Sequence, residues 1–262
     1  GKVDGWFSED IAKRFESYGW NVVKDVDGHD PSQIHRAIEQ AQASQNAPTI
    51  ICAKTIVRGR NHLPKEGPFI IAINHFNYAD PPFVIYAVRR PIDFLAASDQ
   101  VIEWFNYWAI WLYGFIPTNR TTLAPSTIKR SRKILSQKGI LGIFPEGDTL
   151  SDELRPAKGG VVYLSTTMQV PIVPMSIYGL KDVIWSYLAR GVRPKVRVNF
   201  GKPFGPYKLP VDKKKKGEAL KNIGDEVMCR IAALLPEESH GEFKGNPKIE
   251  EFRIQNNMAS EY

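Results

Sequence analysis

Short apolar runs recur along the chain: Phe69 to Ile73, Ile140 to Phe144, Pro171 to Tyr178 and Val196 to Phe200, with a briefer one around Asp93 to Ala97. The first three, which do not alternate with polar residues, read as strands buried on both faces, and Val196 to Phe200 and Asp93 to Ala97 read as further strands. Between them lie stretches with helical spacing: one after Pro82, then Pro125 to Gln137, Gly159 to Met168 and Glu218 to Leu234. Such alternation predicts an α/β fold, a mixed and largely parallel sheet flanked by helices. A short α-β-α-β segment precedes it. There, a helix over residues 7–18 presents Ile11, Phe15 and Tyr18 on one face. A strand over 20–23, a helix opened by Asp30 or Ser32 and running to about Ala43, and a strand over 48–54 follow. The chain is therefore expected to divide into residues 1–56, residues 57–236, and a loose polar C-terminal tail over 237–262.

The net charge of +7 is unevenly spread. Residues 1–57 hold six Lys/Arg against eight Asp/Glu, which leaves 29 against 20 for residues 58–262. That downstream excess suits an anionic partner: phospholipid headgroups, a phosphorylated substrate, an acidic carrier protein or nucleic acid. Lys213 to Lys216 form a run that suits a solvated loop or helix start, or a membrane-surface contact. Nucleic-acid binding rests on charge alone, since no recognition motif accompanies it. Cys52 and Cys229 lie far apart without metal-ligand spacing, and no signal peptide is evident, so a reducing cytosolic compartment is expected. No uncharged apolar run reaches the roughly 18 residues a spanning helix needs. Residues 101–115 carry three of the six tryptophans and read as a helix, in the core or at a membrane interface.

The residues that carry chemistry follow the strand at 69–73. In Asn74-His75-Phe76-Asn77-Tyr78-Ala79-Asp80 a histidine and a carboxylate emerge five residues apart where the apolar run ends. An imidazole can take a proton from a hydroxyl near neutral pH if a carboxylate holds its other ring nitrogen in the donor tautomer. His75 is thus a candidate general base and Asp80 its orienting partner, with Asn74 a candidate substrate contact beside them. Three further blocks lie at strand or helix ends. Gly114-Phe115-Ile116-Pro117-Thr118-Asn119-Arg120 would deliver a guanidinium, able to grip a phosphate with two hydrogen bonds, to the sheet edge. Phe144-Pro145-Glu146-Gly147 ends a strand with a carboxylate that could orient a substrate hydroxyl or the loop itself. Val170-Pro171-Ile172-Val173-Pro174 suits an acyl channel or plain core.

Taken together and in this order, the four blocks resemble the glycerolipid acyltransferase family of the 1-acylglycerol-3-phosphate acyltransferase type, over about residues 57–205. The resemblance implies transfer of a fatty acyl group from an acyl-thioester, on coenzyme A or acyl carrier protein, to an acceptor hydroxyl in phospholipid biosynthesis. It makes His75 and Asp80 the catalytic pair, Arg120 a phosphate contact, and Glu146 and Gly147 part of the acceptor-side loop. It implies no metal and no redox cofactor. The oxyanion formed in such a reaction needs donors, for which backbone N–H groups near Gly147 or Gly159 are candidates.

Two departures bear on the substrate. The family commonly continues its Phe-Pro-Glu-Gly block with Thr-Arg-Ser, placing an arginine on the acceptor phosphate, whereas this chain has Asp148-Thr149-Leu150. Arg155 and Lys158, shortly downstream, are candidates to supply the lost charge. The second departure is at the N-terminus. Family members often carry there a membrane-seating helical element. Here Asp4-Gly5-Trp6-Phe7, Arg14-Phe15-Glu16-Ser17-Tyr18-Gly19-Trp20, Asp27-Gly28-His29-Asp30 and Cys52-Ala53-Lys54-Thr55-Ile56 resemble a segment of transketolase over about residues 1–56. That resemblance implies a piece of a thiamine-diphosphate-binding domain. The metal- and diphosphate-holding loop expected before it has no counterpart in these residues, so the segment is expected to be non-catalytic, and Asp27 to Asp30 a turn.

The leading expectation is a cytoplasmic enzyme, peripheral on the membrane, touching it through residues 101–115 and the downstream basic surface. Competing classes are a non-catalytic lipid-binding module of the same fold, argued only from the missing arginine, and a thiamine-diphosphate transketolase fragment. Thiol release from acyl-thioesters separates the first from the second. Magnesium-dependent thiamine diphosphate binding would reveal the third.

Overall fold

The computed structural model describes residues 11–26, 36–37, 39–41, 43–44, 49–53, 56–77, 80–97, 115–118, 124–147, 151–179 and 196–257. The chain divides into two compact units, residues 1–56 with 179–197, and residues 57–178 with 198–262.

In the first unit, helix α1 (Ile11–Ser17) leads to strand β1 (Asn21–Val26), which pairs in parallel with β2 (Thr49–Ala53). A Schellman motif ends α1. Gly19, at φ 76°, donates to the Glu16 carbonyl at 2.9 Å and Trp20 donates to the Phe15 carbonyl at 3.0 Å. The accompanying apolar contact is the Phe15 ring against Trp20, with centroids 5.1 Å apart. Tyr18, expected on the packed face, is 64% exposed because it lies beyond the last helical turn.

The second unit is built on a seven-stranded sheet of order β3-β9-β8-β4-β7-β5-β6. Its strands are β3 (Ile56–Arg58), β4 (Phe69–Ile73), β5 (Ile92–Ala97), β6 (Phe115–Thr118), β7 (Ile140–Ile143), β8 (Ile172–Tyr178) and β9 (Arg197–Phe200). β4 pairs in parallel with β7 and β8, and β5 in parallel with β7 and β6. The helices are α2 (Asp80–Val88), α3 (Pro125–Ser136), α4 (Gly160–Met168), α5 (Lys213–Ala232) and α6 (Pro247–Gln255). The mixed, largely parallel sheet flanked by helices is the expected fold class.

Burial explains the uninterrupted apolar runs. All five residues of β4 are fully buried, because Ile70 and Ala72 join a core with α3, α4 and α5 while Phe69, Ile71 and Ile73 face the opposite side. The chain goes from β4 to β5 on one side, but β8 returns on the other side of β4. Open α/β sheets place their crevice at such a switch, at the carboxyl ends of the strands. The ends of β4, β7 and β8 meet there.

Three expectations need correction. The stretch after Glu237 is not a loose tail. It forms two short 3-10 turns, Glu237–Ser239 and Gly241–Phe243, and then α6, capped by Asn246. Its polar composition hides Phe243, Ile249 and Phe252, which enter the main core, and the Arg230 guanidinium lies 4.4 Å from the Phe204 ring centroid and 4.1 Å from that of Phe252. The last long helix starts at Lys213, not Glu218, since Asp212 caps it by accepting from the Lys215 N–H at 2.9 Å. Phe115 begins strand β6 on the sheet edge instead of ending a helix; residues 101–114 lie outside the described residues.

Candidate active site

His75 stands two residues past β4, and the chain there folds around one carboxylate oxygen. Asp80 Oδ2 accepts from His75 Nδ1 at 2.9 Å and from the peptide N–H groups of Phe76 and Asn77 at 3.0 Å each. The Asp80 N–H in turn donates to the Asn77 carbonyl at 3.1 Å, closing the turn that starts α2. Asp80 is 1% exposed. Burial pushes its carboxyl above the ordinary carboxylate range. The hydrogen bond and charge of His75, then the N–H groups of Asn77 and Phe76, pull it back toward the ionised form. With Nδ1 held by Asp80, Nε2 is the ring nitrogen left for a ligand.

The imidazole is fixed on its face as well. Its ring stacks on Phe144, centroids 3.9 Å apart and planes 22° from parallel, and Phe144 stacks in turn on Phe94 at 5.9 Å. Phe144 was expected as the last strand residue, but β7 stops at Ile143, so its ring leaves the strand pattern to support His75. Sequence reasoning missed this contact, for which the only signal was an aromatic residue at a parallel strand's carboxyl end.

Glu146 ties three segments together. Its Oε1 accepts from the His75 N–H and its Oε2 from the Arg155 N–H, both at 3.1 Å. The carboxylate is fully buried, and burial raises its pKa to about 7 against the opposing pull of these two N–H groups and of the Arg155 charge. Its role is thus to hold the loops, one of the two readings open from sequence. Arg155 Nε lies 3.9 Å from Glu146 Oε2, and the Arg155 side chain is 31% exposed. Lys158 donates its N–H to the Pro145 carbonyl at 2.8 Å, and its side chain crosses Gly147. A Cβ on Gly147 would sit 2.9 Å from Lys158 Cδ and Nζ, and the backbone there has φ 68°. The left-handed backbone favours glycine, whereas the lysine side chain could swing aside. The Gly147 N–H donates to the Phe144 carbonyl at 3.0 Å, so it is already engaged in the turn.

Asn74 has a different place from the one expected. It is fully buried, donates through Nδ2 to the Ile177 carbonyl at 2.7 Å and accepts through Oδ1 from the Ile177 N–H at 2.8 Å. Its amide imitates a strand neighbour and locks the ends of β4 and β8 together. The Val170 to Pro174 block belongs to the core: Val170 is buried, and Ile172 and Val173 are completely so. Arg120 and Thr149 lie outside the described residues. The structure therefore gathers His75, Asp80, Glu146, Gly147, Arg155 and Lys158 at one end of the sheet.

Comparison with known proteins adds to this geometry. Residues 54–178 match the Acyltransferase family model, and residues 1–66 match that of the transketolase thiamine diphosphate binding domain. Both resemblances read from the sequence therefore hold. Over 57 residues the chain is 58% identical to transketolase 1 of Pasteurella multocida and 51% identical to transketolase 1 of Escherichia coli, covering 22% of this chain. The chain spans 8% and 9% of the lengths of those two relatives. Among solved structures, the 1-acyl-sn-glycerophosphate (LPA) acyltransferase PlsC of Thermotoga maritima aligns over 65% of this chain and 69% of that one. The identity is 18% and the TM-score 0.48.

Proposed function

We propose, from an acyltransferase domain over residues 54–178, that the chain moves a fatty acyl group from an acyl-thioester to a hydroxyl of a lysophospholipid or glycerolipid, of the 1-acylglycerol-3-phosphate type. Coenzyme A or acyl carrier protein carries the donor. The observation that carries this reading is the 2.9 Å contact between His75 Nδ1 and Asp80 Oδ2 in a loop at the sheet's carboxyl edge.

The chemistry runs through that pair. An alcohol attacks a thioester only while losing its proton, and His75 Nε2 accepts it as the new C–O bond forms. Asp80 keeps Nδ1 protonated and steadies the imidazolium. The tetrahedral oxyanion then collapses, the C–S bond breaks, and the departing thiolate takes the proton back from Nε2. Ester and thiol are the products, with no covalent enzyme intermediate.

Arg155 and Lys158 flank the Glu146–Gly147 turn and supply positive charge for an acceptor phosphate, in the place of the arginine that Thr149 replaces. Membrane contact is assigned to residues 101–115 and to the basic surface after residue 57. No helix of the described residues is long and apolar enough to cross a membrane. Residues 1–56 are assigned no catalytic part.

The test is thiol release from acyl-coenzyme A and acyl carrier protein donors against a panel of lysolipids and alcohols, with wild type and His75→Ala compared. Acceptor-dependent release by wild type alone supports the reading. Equal turnover by the variant refutes His75 as base. Liposome sedimentation of the chain with Trp104, Trp108 and Trp111 changed to alanine tests the part assigned to residues 101–115, which undiminished binding would overturn.

A further inference from the structure

The loop that carries Arg155 is held from outside the segment that matches the acyltransferase family. Leu154, 1% exposed, donates its N–H to the Ser239 carbonyl at 3.0 Å and accepts at its own carbonyl from the Glu242 N–H at 3.3 Å. Gly241 lies against it in a left-handed conformation of φ 50°. A Cβ there would run into the Leu154 carbonyl oxygen and approach Leu154 N to 3.0 Å and Glu153 Cβ to 3.1 Å. The next residue along, Arg155, gives its N–H to Glu146, which holds the His75 N–H through its other oxygen.

The clasp has its own foundation. His240 is 2% exposed, with Nε2 3.2 Å from the Leu235 carbonyl, and the Arg253 guanidinium donates to that same carbonyl at 3.0 Å. Phe243, Ile249 and Phe252 share the core that contains Leu154. The two 3-10 turns are thus fixed from behind and grip the site loop from in front.

We infer that Glu237 to Phe243 is a positioning element for the acceptor side of the active site, with Gly241 the positioning residue that sets where Leu154 places Arg155. The inference rests on the proposed reading of Arg155 as an acceptor contact. His75 keeps its own contacts to Asp80 and Phe144 and shares only Glu146 with the Arg155 loop, so a loosened clasp displaces the acceptor cation more than the base. Displacements of about an ångström suffice to cost an oriented contact most of its value.

The test compares Gly241→Ala with Gly245→Ala in the full chain. Gly245 shares the left-handed backbone, at φ 77°, but nothing lies within 4 Å of its added Cβ, so it controls for backbone strain alone. Gly241→Ala is expected to raise KM for a phosphorylated acceptor about tenfold while kcat and the donor KM stay within about twofold. It is also expected to speed hydrogen exchange at the Leu154 and Arg155 amides about tenfold. Gly245→Ala is expected to change neither. Wild-type KM and exchange in Gly241→Ala would overturn the inference, as would equal effects in both variants. If the wild type transfers no acyl group, the functional reading fails, while amide exchange still decides the clasp. If Gly241→Ala does not fold, Glu242→Pro, which deletes the N–H donated to Leu154, is read in the same two ways.

Discussion

The peptide N–H of His75 and the carboxylate of Glu146 are joined at 3.1 Å, so the candidate base is tied by its backbone to the turn after β7 and by its ring to Asp80. Glu146 spends its second oxygen on Arg155. Neighbouring parallel strands make this possible: β4 and β7 run side by side with Ala72 opposite Ile143, so their carboxyl-end loops emerge together. One buried carboxylate then coordinates the base loop and the cationic loop.

Removing the base should abolish most turnover. His75→Ala is expected to slow thiol release about 10²- to 10⁴-fold with the fold retained. Asp80→Asn keeps an acceptor for the Phe76 and Asn77 N–H groups but loses the charge that fixes the His75 tautomer, and is expected to cost about 10²-fold or more. Acceptor-dependent thiol release, with circular dichroism as the fold control, checks both. Unchanged rates for Asp80→Asn would remove Asp80 from the mechanism.

Glu146 makes stability depend on pH. Its carboxyl is raised from 4.5 to about 7 in the folded protein, so between those values the folded state holds a proton that the unfolded chain has released. Its contribution is fully present below about pH 4.5 and is lost as pH rises through about 7, a change of roughly 3 kcal/mol. Burial raises Asp80 as well, which adds a change of the same sign. The measurement is therefore the difference between wild type and Glu146→Gln in denaturant titrations across this range. The variant should show a flatter profile, and parallel profiles would contradict the assignment.

Asn74 should behave as structure and not as substrate contact. Asn74→Ala strands the buried N–H and carbonyl of Ile177 and is expected to cost roughly 2 to 4 kcal/mol of stability. Folded enzyme that remains should keep the acceptor KM. A selective rise in that KM, without a change in the unfolding midpoint, would return Asn74 to the substrate.

The two cations should discriminate among acceptors. Arg155→Ala and Lys158→Ala are each expected to raise KM about tenfold for a phosphorylated acceptor and to leave a neutral alcohol acceptor little changed. Steady-state kinetics with the two acceptor types decides it. Equal effects on both would assign the residues to loop structure alone.

Much of this was legible in the sequence. The runs at 69–73, 140–144 and 171–178 declared a sheet buried on both faces, because strands of that kind carry almost no polar residues. His75 and Asp80 were legible because four intervening residues are enough for a turn to close on itself. Phe144, Leu154 and Gly241 were not, since each acts on a residue remote in sequence: a stacked ring, a clasped peptide and a missing Cβ leave no periodic trace. The tail after Glu237 misled for a related reason, its three core side chains being too few to show against a polar background.

The sequence by itself determined the strands of the main sheet, most of the helices beside it and the pairing of His75 with Asp80, all of which depend on local spacing and on burial of neighbouring residues. Only the tertiary structure decided what Asn74 and Glu146 do and why the C-terminal segment belongs to the site. A buried polar group must find a partner wherever the fold supplies one, and that partner's identity is set by which strand ends the sheet brings together. Asn74 found Ile177 across the β4–β8 pairing, and Glu146 found His75 across the β4–β7 pairing.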